Sequence, residues 1–236
     1  MVKKIRVAIL DDHQAIIDGY LFRLRGLPDF EAVATLHCGE ELWPALKEHP
    51  ADVLLLDWHI PNSPTDRNPY PVLYEIPKLI QVFPDLSILV ISMHGQPALI
   101  QAVMEAGASG FILKEDAQAF QELPAIIRRV ANQGIHLSPA ALQAISNRPA
   151  SELAKPLSGR QLEALSLCAA YPDASTSELA NKMEIAHSTL RNLLSAAYLK
   201  LSVRTRAAAV LKAQQLGMIP STPGFQPFPS NQEHLG

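Results

Sequence analysis

Residues 5–13 read IRVAILDDH: a short run rich in branched apolar side chains that stops abruptly on two aspartates. Six residues are too few for a stable helix. The absence of strict polar alternation points to a strand buried on both faces. The same form returns at Glu31–Leu36, Asp52–Asp57, Leu86–Ile91 and Ser109–Leu113. Between these runs the apolar residues take helical spacing, as at Ala98, Ile100, Val103 and Met104, and then at Phe120, Leu123, Ile126, Ile127 and Val130. Alternating strands and helices over residues 5–130 predict an α/β unit, a five-stranded parallel doubly wound sheet. In such a sheet the functional crevice lies beyond the carboxyl ends of the strands.

Those ends carry an ordered set of polar residues. The first strand delivers Asp11 and Asp12, the third Asp57, the fourth Ser92 and the fifth Lys114. Parallel strands would bring three carboxylates, one hydroxyl and one ammonium to one edge. Crowded carboxylates need a compensating cation, and hard oxygen ligands of this kind suit Mg²⁺. A carboxylate beside a metal and a lysine is a competent nucleophile towards phosphorus. The lysine would offset charge on the phosphoryl oxygens and the hydroxyl would bond one of them. Any one of these residues alone is an ordinary strand-terminal polar group; the ordered set of five is what carries the reading.

With those residues in place, 5–131 resembles the receiver domain of two-component response regulators. The resemblance implies that Asp57 is the phosphoacceptor and that Asp11 and Asp12 are the acidic metal-site pair. It also implies that Ser92, Lys114 and Phe111 are the phosphate-site switch residues, and that the backbone carbonyl of His59 completes the Mg²⁺ shell with Asp11, Asp12 and Asp57. A sensor histidine kinase would supply the phosphate. The chain departs from the pattern after DWHIP, where NSPTDRNPYPV places four prolines from Pro61 to Pro71. Asp57 and Ser92 are 35 residues apart, against 22 from Ser92 to Lys114, so the extra length sits in the loop after the third strand. A stiff insert there is expected to shield the phosphate or to contact a partner. His13, His59 and His94 fall near the same edge but lack ligand spacing, and His59 and His94 are expected to tune water access to the aspartyl phosphate.

The second half has another rhythm. Residues 132–156 mix turn formers with small helix formers and read as a linker with one short helix. Residues 157–219 show no strand pattern and parse into helices at about 159–170, 175–182, 187–201 and 205–216. Ser175 with Glu178 three residues on has capping-box spacing. The next helix lines up Leu190, Leu193, Leu194, Ala197 and Leu201 on one face. Two helices joined by a turn of about four residues fit either a helix-turn-helix or a small packing module. Residues 220–236, with four prolines, are expected to form a disordered tail.

Charge separates the halves. Residues 1–131 carry 11 Lys/Arg against 17 Asp/Glu, a net of −6; residues 157–217 carry seven against four, a net of +3. The motifs Leu157–Ser158 with Arg160, Glu178–Ala180, Ser188–Thr189 and Lys200–Arg206 resemble the LuxR-type output domain of NarL-like regulators. That resemblance implies that Arg191, Asn192 and Ser195 face bases, and that Thr189, Lys200 and Arg204 meet phosphates of double-stranded promoter DNA. It further implies a homodimer paired through helix 205–216. Ser177 and Leu193 stand where the family often has Lys and His, and Ser195 lacks the second Lys usual nearby. Fewer cations mean a shallower salt dependence of binding.

Composition agrees with this division. Of 236 residues 48% are apolar and 18% charged, enough to build cores, and the overall charge of −3 hides the split. Cys38 and Cys168 form no metal or disulfide pattern, which makes a reducing cytoplasm the expected compartment. No apolar run approaches the roughly 18–20 residues of a membrane span. The expected protein is a phospho-switched transcription regulator and not an enzyme with its own substrate pocket. An adaptor with little DNA affinity is the alternative, and a phosphatase built on the carboxylate site is a weaker one.

Overall fold

The computed structural model describes residues 4–146 and 157–221. The expected disordered tail lies almost wholly outside the described residues, as does the later part of the expected linker. Six parallel strands form one sheet in the order β2-β1-β3-β4-β5-β6. They are β1 (Ile5–Leu10), β2 (Phe30–Leu36), β3 (Val53–Asp57), β4 (Ser87–Ser92), β5 (Gly110–Leu113) and β6 (His136–Leu137). The expectation of five strands is therefore corrected to six. The added strand has only two residues, too few to show periodicity. It joins the sheet because the His136 N–H donates to Ser109 O and the Ser138 N–H to Phe111 O, each at 3.0 Å.

The strands alternate inward on both faces. Val7, Ile9, Val53, Leu55, Ile91 and Ile112 pack beneath α1 (Gln14–Leu24), with α5 (Ala117–Gln121) and α6 (Leu123–Ala131) on the same side. Ala8, Leu10, Leu54, Leu56, Ile88 and Val90 face the other side, covered by α2 (Leu42–Glu48), α3 (Val72–Val82) and α4 (Pro97–Glu105). Burial on both faces is why these runs lack a polar repeat. Helix α7 (Pro139–Ser146), the short helix expected in the linker, packs against β5 and α4.

The helical portion comprises α8 (Gly159–Ala170), α9 (Thr176–Lys182), α10 (His187–Leu201) and α11 (Arg206–Gln215). Ser158 with Gln161 and Ser175 with Glu178 form capping boxes that satisfy the first N–H groups of α8 and α9. Leu190, Leu194, Ala197 and Leu201 are buried as the spacing predicts, with Leu193 half-buried. Helix α8 also packs on α3 and α4, so the apolar cluster on that side of the sheet runs on into the helical portion.

Candidate functional site

Register sets the site. Asp57 pairs with Ile91 across β3–β4, and Ser92 pairs with Leu113 across β4–β5, so the strands end together. Asp11, Asp57 and Ser92 are buried, at 1%, 3% and 0% exposure. Lys114, just past β5, reaches back over the ends: its Nζ lies 2.9 Å from Asp11 Oδ2 and 2.9 Å from Asp57 Oδ2. The five residues singled out by their order at strand ends thus sit along one edge, and four of them are in a directly bonded or adjacent arrangement. The fifth, Asp12, is less buried, with His13 Nδ1 2.8 Å from its Oδ1. The Ser92 hydroxyl accepts the His94 backbone N–H at 2.9 Å, and the Lys114 N–H donates to Ser92 O at 2.7 Å. Phe111, one residue into β5, is fully buried.

Electrostatics follow from burial. Loss of water pushes the Asp57 carboxyl up to about 7; Lys114 opposes this and the Asp11 charge adds to it. Burial pulls on Lys114 in the opposite sense, but Asp57 and Asp11 together outweigh it and the ammonium is held above its ordinary range. The His59 and His94 rings lie 4.9 Å apart between centroids, tilted by 56° to one another. Burial first, then the neighbouring His94 and Lys114, depresses His59 to about 3, and burial lowers His94 as well. Both rings are neutral at physiological pH.

The donor set fits a small hard cation. Asp57 Oδ1 is buried and accepts no hydrogen bond. Ligand atoms of Asp11, Asp12 and His13 lie within 4.8 Å of one another. A buried carboxylate oxygen without a donor, beside two further carboxylates, is what a Mg²⁺ site requires of its protein side. Tyr20 on α1 escaped the sequence reading. It is 4% exposed, its hydroxyl has no partner, and burial with the Asp11 and Asp57 charges raises its pKa. The only signal was its place with Ile17 and Leu24 on the buried stripe of α1, which reads equally as core.

A second candidate surface lies on α10. Thr189, Arg191, Asn192 and Ser195 are all exposed on its outer face, and Arg204 is exposed beyond its end. Lys200 is half-buried and donates to Gln161 Oε1 at 2.8 Å, tying α10 to α8. Arg206 turns inward to donate to Ala174 O at 2.7 Å and Tyr171 O at 3.2 Å, holding the turn between α8 and α9. The exposed cations of the α10 face are thus fewer than the sequence count suggests.

Comparison with known proteins matches these two halves to a common plan. The family described as response regulator receiver domain matches residues 7–128. The transcriptional regulatory protein DegU of Brevibacillus brevis is 28% identical over 237 residues, covering 92% of this chain and 95% of that protein. The probable transcriptional regulatory protein NarL of Mycobacterium tuberculosis is 28% identical, covering 90% and 95%. Among solved structures, RcsB from Salmonella enterica serovar Typhimurium, bound to promoter P1flhDC with the phosphomimetic BeF3⁻, superposes with a TM-score of 0.63. It is 24% identical over 89% of this chain and 98% of that one. Among the described residues no helix is long and apolar enough to cross a membrane.

Proposed function

The chain belongs to the response regulator receiver domain family, and from that premise we propose that it is a two-component response regulator whose phosphoacceptor is Asp57. The observation that carries this is Lys114 bridging Asp11 and Asp57, both buried, at 2.9 Å each. Asp57 attacks the phosphorus of a sensor kinase's phosphohistidine. A P–O bond to the carboxylate forms as the P–N bond breaks, and later hydrolysis of that P–O bond releases inorganic phosphate. Lys114 offsets charge on the phosphoryl oxygens. Asp11, Asp12, Asp57 and the backbone carbonyl of His59 would hold Mg²⁺, which neutralises the same developing charge.

Once Asp57 carries a phosphoryl group of charge about −2, the Ser92 hydroxyl, which accepts the His94 backbone N–H, gains a strong acceptor for its own proton. Its turn towards the phosphate, and a reorientation of Phe111, shift the population between two forms of the α/β unit. The regulated output is DNA binding by residues 157–219 as a homodimer in the cytoplasm. Arg191, Asn192 and Ser195 read bases, while Thr189, Lys200 and Arg204 meet phosphates. This division takes residues 1–131 as the receiver and 132–156 as a linker whose first part, β6 and α7, packs onto the receiver sheet. Treated with acetyl phosphate and Mg²⁺, the wild-type protein is expected to gain phosphate and promoter affinity. Asp57→Asn is expected to gain neither; phospho-dependent binding in that variant, read by electrophoretic shift, refutes the assignment.

One observation favours a second output. Leu199 on α10 is 81% exposed, an apolar side chain on the face that would meet a partner. A protein-binding output would be unchanged by Arg191→Ala, whereas DNA binding would be weakened.

A further inference from the structure

The proline-rich loop after β3 is a built element. Pro61 and Pro69 form an antiparallel bridge, the Asn62 N–H donates to Asn68 O at 2.8 Å, and Ser63 and Asp66 close the tip through a 3.0 Å backbone bond. The Gly39 N–H donates to Pro61 O and the Glu40 N–H to Asn62 O, at 2.9 and 2.8 Å. Tyr70 lies so close over Gly39 that a Cβ there would stand 1.9 Å from its ring. The loop is therefore fixed to the α/β unit on two sides.

From that fixed position it reaches the helical portion. Asn62 Nδ2 donates to Ala170 O at 3.2 Å, and Ala170 is the last residue of α8. Tyr74, three residues beyond the loop on α3, donates its hydroxyl to Lys182 O, and Lys182 is the last residue of α9. The last carbonyls of a helix have no donor within their own helix. Here two such carbonyls, on neighbouring helices, are capped by side chains from the other half of the chain. The Lys182 ammonium in turn sits over the Tyr171 ring, 4.1 Å from its centroid. Beside these contacts the two halves leave a cleft of about 500 Å³, lined by Leu73, Lys78, Glu105, Arg160 and Glu184 among others. The seam is thus held at particular points and is not closed throughout.

We propose that the loop 61–71, with Tyr74, is an intramolecular clamp that docks α8 and α9 onto the α3–α4 face by capping their carboxyl ends. Its partner is this chain's own helical portion. Docking leaves Thr189, Arg191, Asn192 and Ser195 exposed, so the clamp sets the orientation of α10 and not its accessibility. The regulatory meaning of the clamp rests on the response-regulator reading, but the docking itself does not. Its test therefore uses neither phosphate nor DNA.

Ala102 is 3% exposed and its Cβ stands 3.9 Å from where a Cβ of Gly159 would be, across the seam. In the full chain carrying Ala102→Cys, reaction of that thiol with a disulfide reagent reports undocking. Cys168, buried within the helical portion near Arg206, reports its unfolding. Asn62→Ala and Tyr74→Phe each remove one cap, the second without loss of the ring. Together they are expected to speed labelling at position 102 roughly tenfold to thirtyfold, as two lost net hydrogen bonds would, with Cys168 labelling rising far less. Unchanged labelling at 102 overturns the proposal. So does an equal rise at Cys168, which would mean unfolding and not release.

Discussion

Asp57 shares Lys114 with Asp11 in a nearly dry site, and the folded protein therefore keeps a proton on Asp57 up to about pH 7, where the unfolded chain has lost its proton near pH 4. Between those values the folded state binds more protons, so this group makes stability fall as pH rises. Asp57→Asn removes the penalty. In EDTA its melting temperature is expected to exceed wild type by a few degrees at pH 8, from about 1–2 kcal/mol, and by less at pH 5. Melting curves at the two pH values check this. His59 has the opposite sign: held at about 3 against 6.5 unfolded, it costs stability as pH falls through that window. His59→Gln is expected to keep more of its pH 7 stability at pH 5 than wild type does, by the same measurement.

At this scale the carboxylates, Ser92 and Lys114 were legible, because a polar residue at the end of a buried strand has few places to go. The pairing of Lys114 with two acids at once was not, since sequence order does not say which oxygen an ammonium chooses. Arginine shows the same limit more sharply. Arg204 and Arg206 look alike in the string, yet one faces solvent and the other donates to the carbonyls of the α8–α9 turn.

Among the elements, the capped helices behave as their sequence says. Ser175→Ala removes the hydroxyl that accepts the Glu178 N–H while keeping the backbone N–H that donates to Glu178 Oε2, and is expected to cost about 1 kcal/mol. Arg206→Ala leaves the turn carbonyls without their charged donor, and is expected to cost about 2 kcal/mol. Arg191→Ala, at an exposed position, should leave the melting temperature within a degree of wild type while weakening DNA binding. Denaturant melts on the three variants check these costs, and filter binding on the two arginine variants separates the structural cation from the reading one.

The helices of 157–217 were legible to within a residue at each end because their caps and apolar faces are local features. β6 was not, because two residues carry no period. The contact between loop 61–71 and α8 was hidden for another reason. Asn62 donates to a backbone carbonyl, and a carbonyl has no sequence signature.

For the whole molecule, the charge split of −6 and +3 marks the two halves but says nothing of how they touch. The apolar cluster on the α3–α4 side of the sheet passes through Leu99 and Ala102 into Leu162 and Leu165 of α8 without a break. Heat should find no natural place to divide such a chain. Calorimetry of the wild type is expected to show one absorption peak for both halves, and the Asn62→Ala, Tyr74→Phe protein two. A seam of this kind makes the helical portion borrow its melting point from the sheet, so that releasing it for work also shortens its life in a cell that destroys whatever unfolds first.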